Sequence, residues 1–378
     1  MRDLMVYLKT TETCQLNCQH CFTSGTNGKK GWFDPDATID FFHRLKAQFP
    51  TFRSANISFH GGEPMLCPLD KMEKVYDELD GLWDNLTWGI QTNLTYKLTD
   101  DRLAFLKKVA GTSIGTSWDY SIRWQGNRNQ EALWEENVRK LVAEGIDVTV
   151  MICVSKDLMD VEPIDLINKM TNLGVAFINF ERITENGNAR ENTGIFPTNL
   201  ELDAWFLKMW EQTLEHKAYE KILNMFLESL LTSTVFNTFS GCRSRECEQK
   251  ILTLNADGTI GGCPNGAPET TFGTLDQTIS DIVFSEGRGC NIATESTLNE
   301  VCFSCDVFDV CNGDCHQLNW QGDICASPKS MMRSMKNTDQ DILKEVLNGF
   351  MGEEGIRYEK EPSALTSDTK TIPVVEVF

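Results

Sequence analysis

The stretch Thr13-Cys14-Gln15-Leu16-Asn17-Cys18-Gln19-His20-Cys21 stands directly behind the first apolar segment of the chain, residues 4–9, and its cysteines are spaced C-x3-C-x2-C. Three thiolates on one short loop can hold three irons of a cubane cluster, leaving the fourth iron without a protein ligand. An open position is how a protein lets a metal act on a bound molecule. A zinc site or three unrelated buried cysteines are the competing readings, but zinc favours paired C-x2-C knuckles closed by a fourth ligand, for which His43 is the candidate that follows.

Outward from that loop, short apolar segments alternate with amphipathic ones. Strands are expected at 4–9, 55–59, 86–91, 113–117, 148–154 and 176–180, and helices at 35–48, 68–82, 100–109, 130–144 and 161–172. Strands alternating with helices imply parallel βα units. Six such units fall short of a complete (β/α)8 barrel, so the fold class is α/β, a partial (β/α)6 TIM-like barrel. The cysteine loop then lies at the C-terminal end of the first strand, where barrels carry their chemistry. Residues 200–231 read as two further helices whose Trp205, Phe206, Trp210, Tyr219 and Phe226 belong to the core.

From about residue 240 to 325 the texture changes to short turns, glycines and nine cysteines, with too few apolar residues for an independent core. Such a segment needs metal to hold it together. Domains are accordingly expected at 1–235, 236–335 and 336–378, the last a helix at 339–350 with a polar tail. The tail's final stretch, 372–378, reads as a mobile terminus.

The composition sets bounds. The chain has 378 residues, is 41% hydrophobic and carries a formal charge of -20, which opposes binding to nucleic acid or to an anionic membrane. No apolar run is long enough to cross a membrane and no signal-peptide pattern opens the chain, so a soluble cytoplasmic protein is expected. Fourteen cysteines in that setting point to metal sites rather than disulfides.

Three further motifs fall at strand ends: Gly61-Gly62-Glu63-Pro64 after the second strand, Gln91-Thr92-Asn93 at the third and Ser117-Trp118-Asp119 at the fourth. With the first cysteine loop, these resemble the radical S-adenosylmethionine (radical SAM) superfamily. The C-terminal cysteines, Cys242-x4-Cys247-x15-Cys263 and Cys302-x2-Cys305-x5-Cys311-x3-Cys315-x9-Cys325, resemble the iron–sulfur SPASM extension of peptide-modifying maturases and of anaerobic sulfatase-maturating enzymes. A zinc ribbon is the competing reading there.

The resemblance implies three [4Fe–4S] clusters and S-adenosyl-L-methionine. Cys14, Cys18 and Cys21 would hold the first cluster; Cys242, Cys247, Cys263 and Cys315 the second; Cys302, Cys305, Cys311 and Cys325 the third. Gly61, Gly62, Glu63 and Pro64 would take the methionine amine, with Gln91, Asn93, Ser117 and Asp119 lining the cofactor cavity. It further implies reductive cleavage of the cofactor and oxidative modification of a peptide or protein, with flavodoxin or ferredoxin as electron donor. Radical modification of a small molecule or nucleoside is the alternative, and an iron–sulfur electron carrier without catalysis is a second, against which Gly61 to Pro64 argue.

Two departures bear on the substrate. Only thirteen residues precede Cys14, too few for a leader-peptide-binding module. Pro264 follows Cys263, where sulfatase-maturating enzymes carry an acidic residue, so crosslinking is favoured over sulfatase maturation. No catalytic side chain is identified. Arg123 is read as a cofactor or substrate contact or as a salt bridge, residues 181–190 as a barrel-top segment without an assigned role. Cys67, Cys153 and Cys290 are left over, Cys67 being the one closest to a motif.

Overall fold

The computed structural model describes residues 3–109, 113–266 and 268–351. Six parallel strands with intervening helices form the first half: β1 (Asp3–Thr11), α1 (Pro35–Gln48), β2 (Ser54–Gly61), α2 (Leu69–Leu79), β3 (Asn85–Ile90), α3 (Asp100–Val109), β4 (Ser113–Ser117), α4 (Arg128–Ala143), β5 (Asp147–Val154), α5 (Pro163–Asn172) and β6 (Phe177–Arg182). β1, β2 and β3 pair in parallel, as do β4, β5 and β6. The two groups meet at a single parallel bridge between Gln91 and Gly115. The expected partial barrel of α/β type is therefore the observed architecture.

Local chemistry explains the elements. Asp34 caps α1, accepting from the Asp36 and Ala37 backbone N–H groups at 2.9 and 3.2 Å, and Pro35 supplies a first helical residue with no N–H to satisfy. Along β1 the period is two. Leu4, Val6 and Leu8 enter the main core, whereas Met5 and Tyr7 pack with Cys242, Cys247 and Ile251.

The barrel wall extends beyond the six expected strands. β7 (Leu223–Asn224) adds to β6, preceded by α6 (Asn199–Glu215) and followed by α7 (Met225–Phe236). Thr198 and Glu201 close a reciprocal capping box on α6. Trp205, Phe206, Trp210, Tyr219 and Phe226 are all buried. In the cysteine-rich part, α8 (Cys247–Lys250) leads into β8 (Ile251–Leu254), which pairs in parallel with β1. β9 (Thr259–Gly261) and β10 (Gly273–Thr274) continue that sheet as antiparallel strands. The turn at residues 255–259 thus closes a hairpin, and it brings Cys263 back beside the barrel.

Short helices complete the chain: α9 (Ile279–Val283), α10 (Glu286–Ser296), α11 (Phe308–Cys311), α12 (Lys329–Asn337) and α13 (Gln340–Met351). α12 packs on α6 and α7, and α13 on α7. No described helix is long and apolar enough to cross a membrane. The tail read at 372–378 lies outside the described residues.

Candidate active site

Three strand ends are tied into one unit. The Gly62 N–H donates to Thr11 O at 2.8 Å and the Glu63 N–H to Thr13 O at 3.0 Å. A Cβ at Gly61, whose φ is +136°, would lie 2.2 Å from Thr11 O, and one at Gly62 would lie 2.1 Å from Thr13 O. The glycines are therefore required by the close approach of the two chains. The resemblance assigns these glycines to the cofactor's methionine amine; the close contact they make in the structure is with the root of the cysteine loop.

The Glu63 carboxylate is buried and faces the third strand end. It accepts from Thr92 Oγ1 at 2.7 Å, the Asn93 N–H at 2.7 Å and the Met65 N–H at 2.9 Å. Burial pushes its carboxyl up to about 7, against the pull of these three donors. Asn93 in turn donates from Nδ2 to Cys14 Sγ at 3.3 Å, and Cys14 Sγ also receives the Leu16 N–H at 3.3 Å.

The segment after β6 acquires a role that its sequence did not reveal. Asn188 donates its backbone N–H to Cys21 O at 2.8 Å and its side chain to Cys18 O at 2.9 Å. Gly187, at φ +51°, sits so close that a Cβ would lie 2.2 Å from Cys21 O. Asn186 reaches from the same loop to Asn265 O at 2.5 Å. Residues 186–188 thus strap the first cysteine loop to the loop after Cys263.

These elements enclose a cavity of ≈ 170 Å³ at the C-terminal end of the barrel. Cys14, Cys18, Cys21, Gly61, Gly62, Gln91, Asn93 and Ser117 line it, together with His20, Arg123, Cys153, Glu181, Arg182, Pro264 and Asn265. A larger cleft of ≈ 990 Å³ opens between α1, the β8–β9 turn and the start of α9, but none of the cysteines or strand-end motifs reaches it. The smaller cavity is where the chemistry-bearing residues meet.

Other expected residues stand behind the wall. Pro64 starts a short buried turn, and neither it nor Glu63 lines the cavity. Asp119 is fully buried, accepting from Arg123 Nε at 2.6 Å and the Cys153 N–H at 2.6 Å, with His20 Nε2 at 3.2 Å. Burial works against its charge, but Arg123 and His20 outweigh that and hold its carboxyl well below the usual carboxylate range. Arg123 is therefore both a salt-bridge partner and a cavity residue. Cys67 is buried away from the cavity and Cys290 is exposed, whereas Cys153 lines the cavity. Glu181 lies there too, accepting from Asn179 Nδ2 at 2.9 Å, and burial pushes its carboxyl up to about 8. The sequence assigns no role to His20, Cys153 or Glu181, because isolated residues inside a motif or at a strand end carry no spacing signal.

The donor set fits the groups that the motifs imply. Gln91 donates to Ser117 Oγ at 3.0 Å while its Oε1 is buried without a partner among the described residues, as is His20 Nδ1. Both residues line the cavity, so these two atoms are available to a group bound in it. Burial, with the nearby Glu63 and Cys21 adding to it, pushes the Cys14 thiol up to about 11; burial likewise pushes Cys18 to about 12. A metal cluster bound there would invert that balance and take them as thiolates.

The remaining cysteines gather in two groups. The Cys242 thiol is within hydrogen-bonding reach of Cys247 and Cys315, and Cys263 interacts electrostatically with Cys247 and Cys315. Around this group Glu295 accepts the Cys247 N–H at 2.8 Å, Glu248 the Cys263 N–H at 3.3 Å and Asp314 the Cys315 N–H at 2.8 Å. Cys302, Cys305, Cys311 and Cys325 together line a small separate cavity of ≈ 20 Å³.

Residues 8–170 match the family model described as the Radical SAM superfamily. The uncharacterized protein MJ0907 of Methanocaldococcus jannaschii is 32% identical over 115 residues, which is 30% of this chain and 37% of that protein. An uncharacterized protein of Archaeoglobus fulgidus is 27% identical over 113 residues, 30% of this chain and 25% of that one. The similarity thus spans 37% of the first relative and 25% of the second.

The solved structure of native anSMEcpe with bound AdoMet superposes with a TM-score of 0.71 at 15% identity, over 94% of this chain and 97% of that one. SuiB of Streptococcus suis bound to S-adenosylmethionine gives 0.59 at 15% identity, over 83% and 73%. At such identity the likeness is one of fold. Residues 8–170 thus carry the radical SAM domain, in a chain whose overall fold is shared with those two S-adenosylmethionine-bound proteins.

Proposed function

We propose that this chain is a three-cluster radical SAM enzyme of the SPASM type that oxidatively modifies a peptide or protein. The observation that carries the reading is the convergence of Cys14, Cys18, Cys21, Gly61, Gly62, Gln91, Asn93 and Ser117 on one cavity. When bound, the first cluster and S-adenosylmethionine supply the radical chemistry, reductive cleavage to a 5′-deoxyadenosyl radical that removes a hydrogen atom from substrate. The protein's part is to bind, orient and keep water out.

In this reading Cys14, Cys18 and Cys21 hold the first cluster, with Asn93 and the Leu16 N–H donating to Cys14 Sγ and fixing its direction. The unpartnered Gln91 Oε1, with Ser117 beside it, offers the cofactor an acceptor in the cavity wall. The backbone of Gly61 and Gly62 lines the same wall for the methionine end. Asp119 keeps Arg123 in place as a fixed positive charge facing the cavity.

Cys242, Cys247, Cys263 and Cys315, and separately Cys302, Cys305, Cys311 and Cys325, have the thiolate count for two fully ligated clusters. Full ligation leaves no open iron, which suits electron transfer and so a net oxidation of substrate. A peptide substrate is supported by fold neighbours solved with peptides, SuiB bound to precursor peptide SuiA and anSMEcpe with bound Cp18Cys peptide. Flavodoxin or ferredoxin is the proposed electron donor.

The test is anaerobic incubation of the reconstituted chain with S-adenosylmethionine, dithionite and short peptides encoded beside its gene, followed by mass spectrometry. A peptide product lighter by a pair of hydrogens supports the reading. Cofactor cleavage that responds only to nucleosides or other small molecules overturns the peptide assignment.

A further inference from the structure

Lys9 is a lysine where burial is costly. It sits near the C-terminal end of β1, opposite His60 of β2, and is 9% exposed. Its ammonium lies 5.5 Å from the centroid of the Phe22 ring, the residue directly after Cys21. Among the described residues it has no hydrogen bond and no ion pair. The acidic side chains that act on it from a distance are Glu12 and Asp257, and Asp257 is already bound to Lys29 Nζ at 2.8 Å. His60 beside it contributes no counter-charge, since burial, with Lys9 adding to it, pushes the imidazole down to about 4.

Burial pushes the Lys9 ammonium toward losing its proton, so the cation is kept only where a negative partner meets it. The remaining groups that act on Lys9 are Cys21 and Cys263, one from the first cysteine loop and one from the second group. We propose that Lys9 is the shared counter-charge of two iron–sulfur clusters, held on Cys14, Cys18 and Cys21 and on Cys242, Cys247, Cys263 and Cys315, and that it raises the reduction potential of both. This rests on the cluster assignment made above. A thiolate-ligated cluster is anionic and gains a further negative charge when reduced, so a nearby cation favours the reduced form. At an effective dielectric of about 20, a unit charge within about 10 Å changes the ratio of reduced to oxidised cluster roughly tenfold.

The experiment is a potential titration of the reconstituted full chain followed by electron paramagnetic resonance, for the parent, Lys9→Met and Lys9→Arg. Iron counting of the parent comes first: too little iron for the first two clusters defeats the cluster assignment itself, separately from the role of Lys9. With that iron present, Lys9→Met is expected to lower the reduced-to-oxidised ratio of both clusters roughly tenfold at a fixed potential, while Lys9→Arg keeps it within about twofold of the parent. Iron lost from Lys9→Met but retained in Lys9→Arg also supports a charge requirement. Lys9→Met titrating like the parent, or Lys9→Arg shifting or losing iron as much as Lys9→Met, overturns the proposal.

Discussion

Arg182, the last residue of β6, donates Nη1 to Asp314 Oδ2 at 2.5 Å and Nη2 to Asp314 Oδ1 at 2.9 Å, and both side chains are almost completely buried. Asp314 Oδ1 also accepts the Cys315 N–H at 2.8 Å. The bidentate pair therefore fixes one cysteine of the second group against the end of a barrel strand. Burial opposes the charge on Asp314, but Arg182 prevails and holds its carboxyl well below the usual range.

Removing one partner strands the other. Asp314→Asn is expected to cost about 3–5 kcal/mol, because the Arg182 charge is left buried and uncompensated. Urea unfolding of the anaerobically purified chain measures this, and iron content should fall in parallel. Replacing both residues with apolar ones of similar size should recover much of the stability; unchanged stability of Asp314→Asn would show the pair to be dispensable.

The Asp119 site gives a pH signature. Its folded pKa is depressed relative to the ordinary Asp value of about 3.9. Its stabilisation is therefore fully present above that value and is lost as pH falls through it toward the lower folded value. The stability gap between the parent and Asp119→Asn is expected to be widest near neutrality and to close below about pH 4. A gap that widens in acid would contradict the assignment.

Gly62→Ala tests the weld between the first two strand ends. Its Cβ would have to lie 2.1 Å from Thr13 O, so the backbone must move. The expected result is a loss of about 2–4 kcal/mol together with S-adenosylmethionine binding, both readable by thermal shift with and without cofactor. Gly81→Ala meets no atom within 4 Å, though its own φ of +82° makes it a mildly strained control.

Gln91 tests the cofactor wall. Gln91→Ala removes the unpartnered Oε1 and the bond to Ser117 while leaving the cysteines in place. S-adenosylmethionine affinity should drop roughly tenfold by calorimetry, the worth of one or two hydrogen bonds. Iron content should stay at the parent level. Cys67→Ser, away from the cavity, should leave that affinity unchanged.

The legible part of this chain was the part with a period or a fixed spacing. The strand at 4–9, the helix at 35–48 and the run of βα units all appear in the structure at the expected places. What escaped depends on contacts between distant segments. β8 joins the barrel by pairing with β1, a partnership across more than two hundred residues that a four-residue strand with three apolar residues does not announce. The strap from Gly187 and Asn188 onto the first cysteine loop is likewise backbone and amide chemistry, which ordinary loop residues supply without a motif. Cys67 lies closer to a motif in sequence, yet Cys153 is the cysteine that faces the cavity, because the C-terminal end of β5 points there and the turn after Pro64 does not.

The most direct test of the central claim is anaerobic reconstitution of the parent and of a variant with Cys14, Cys18 and Cys21 all replaced by Ala, with iron, zinc and 5′-deoxyadenosine measured under dithionite and S-adenosylmethionine. The account predicts about twelve irons and 5′-deoxyadenosine from the parent, and loss of about four irons with no 5′-deoxyadenosine from the variant. Cofactor cleavage that survives in the variant, or stoichiometric zinc in place of iron in the parent, would contradict it.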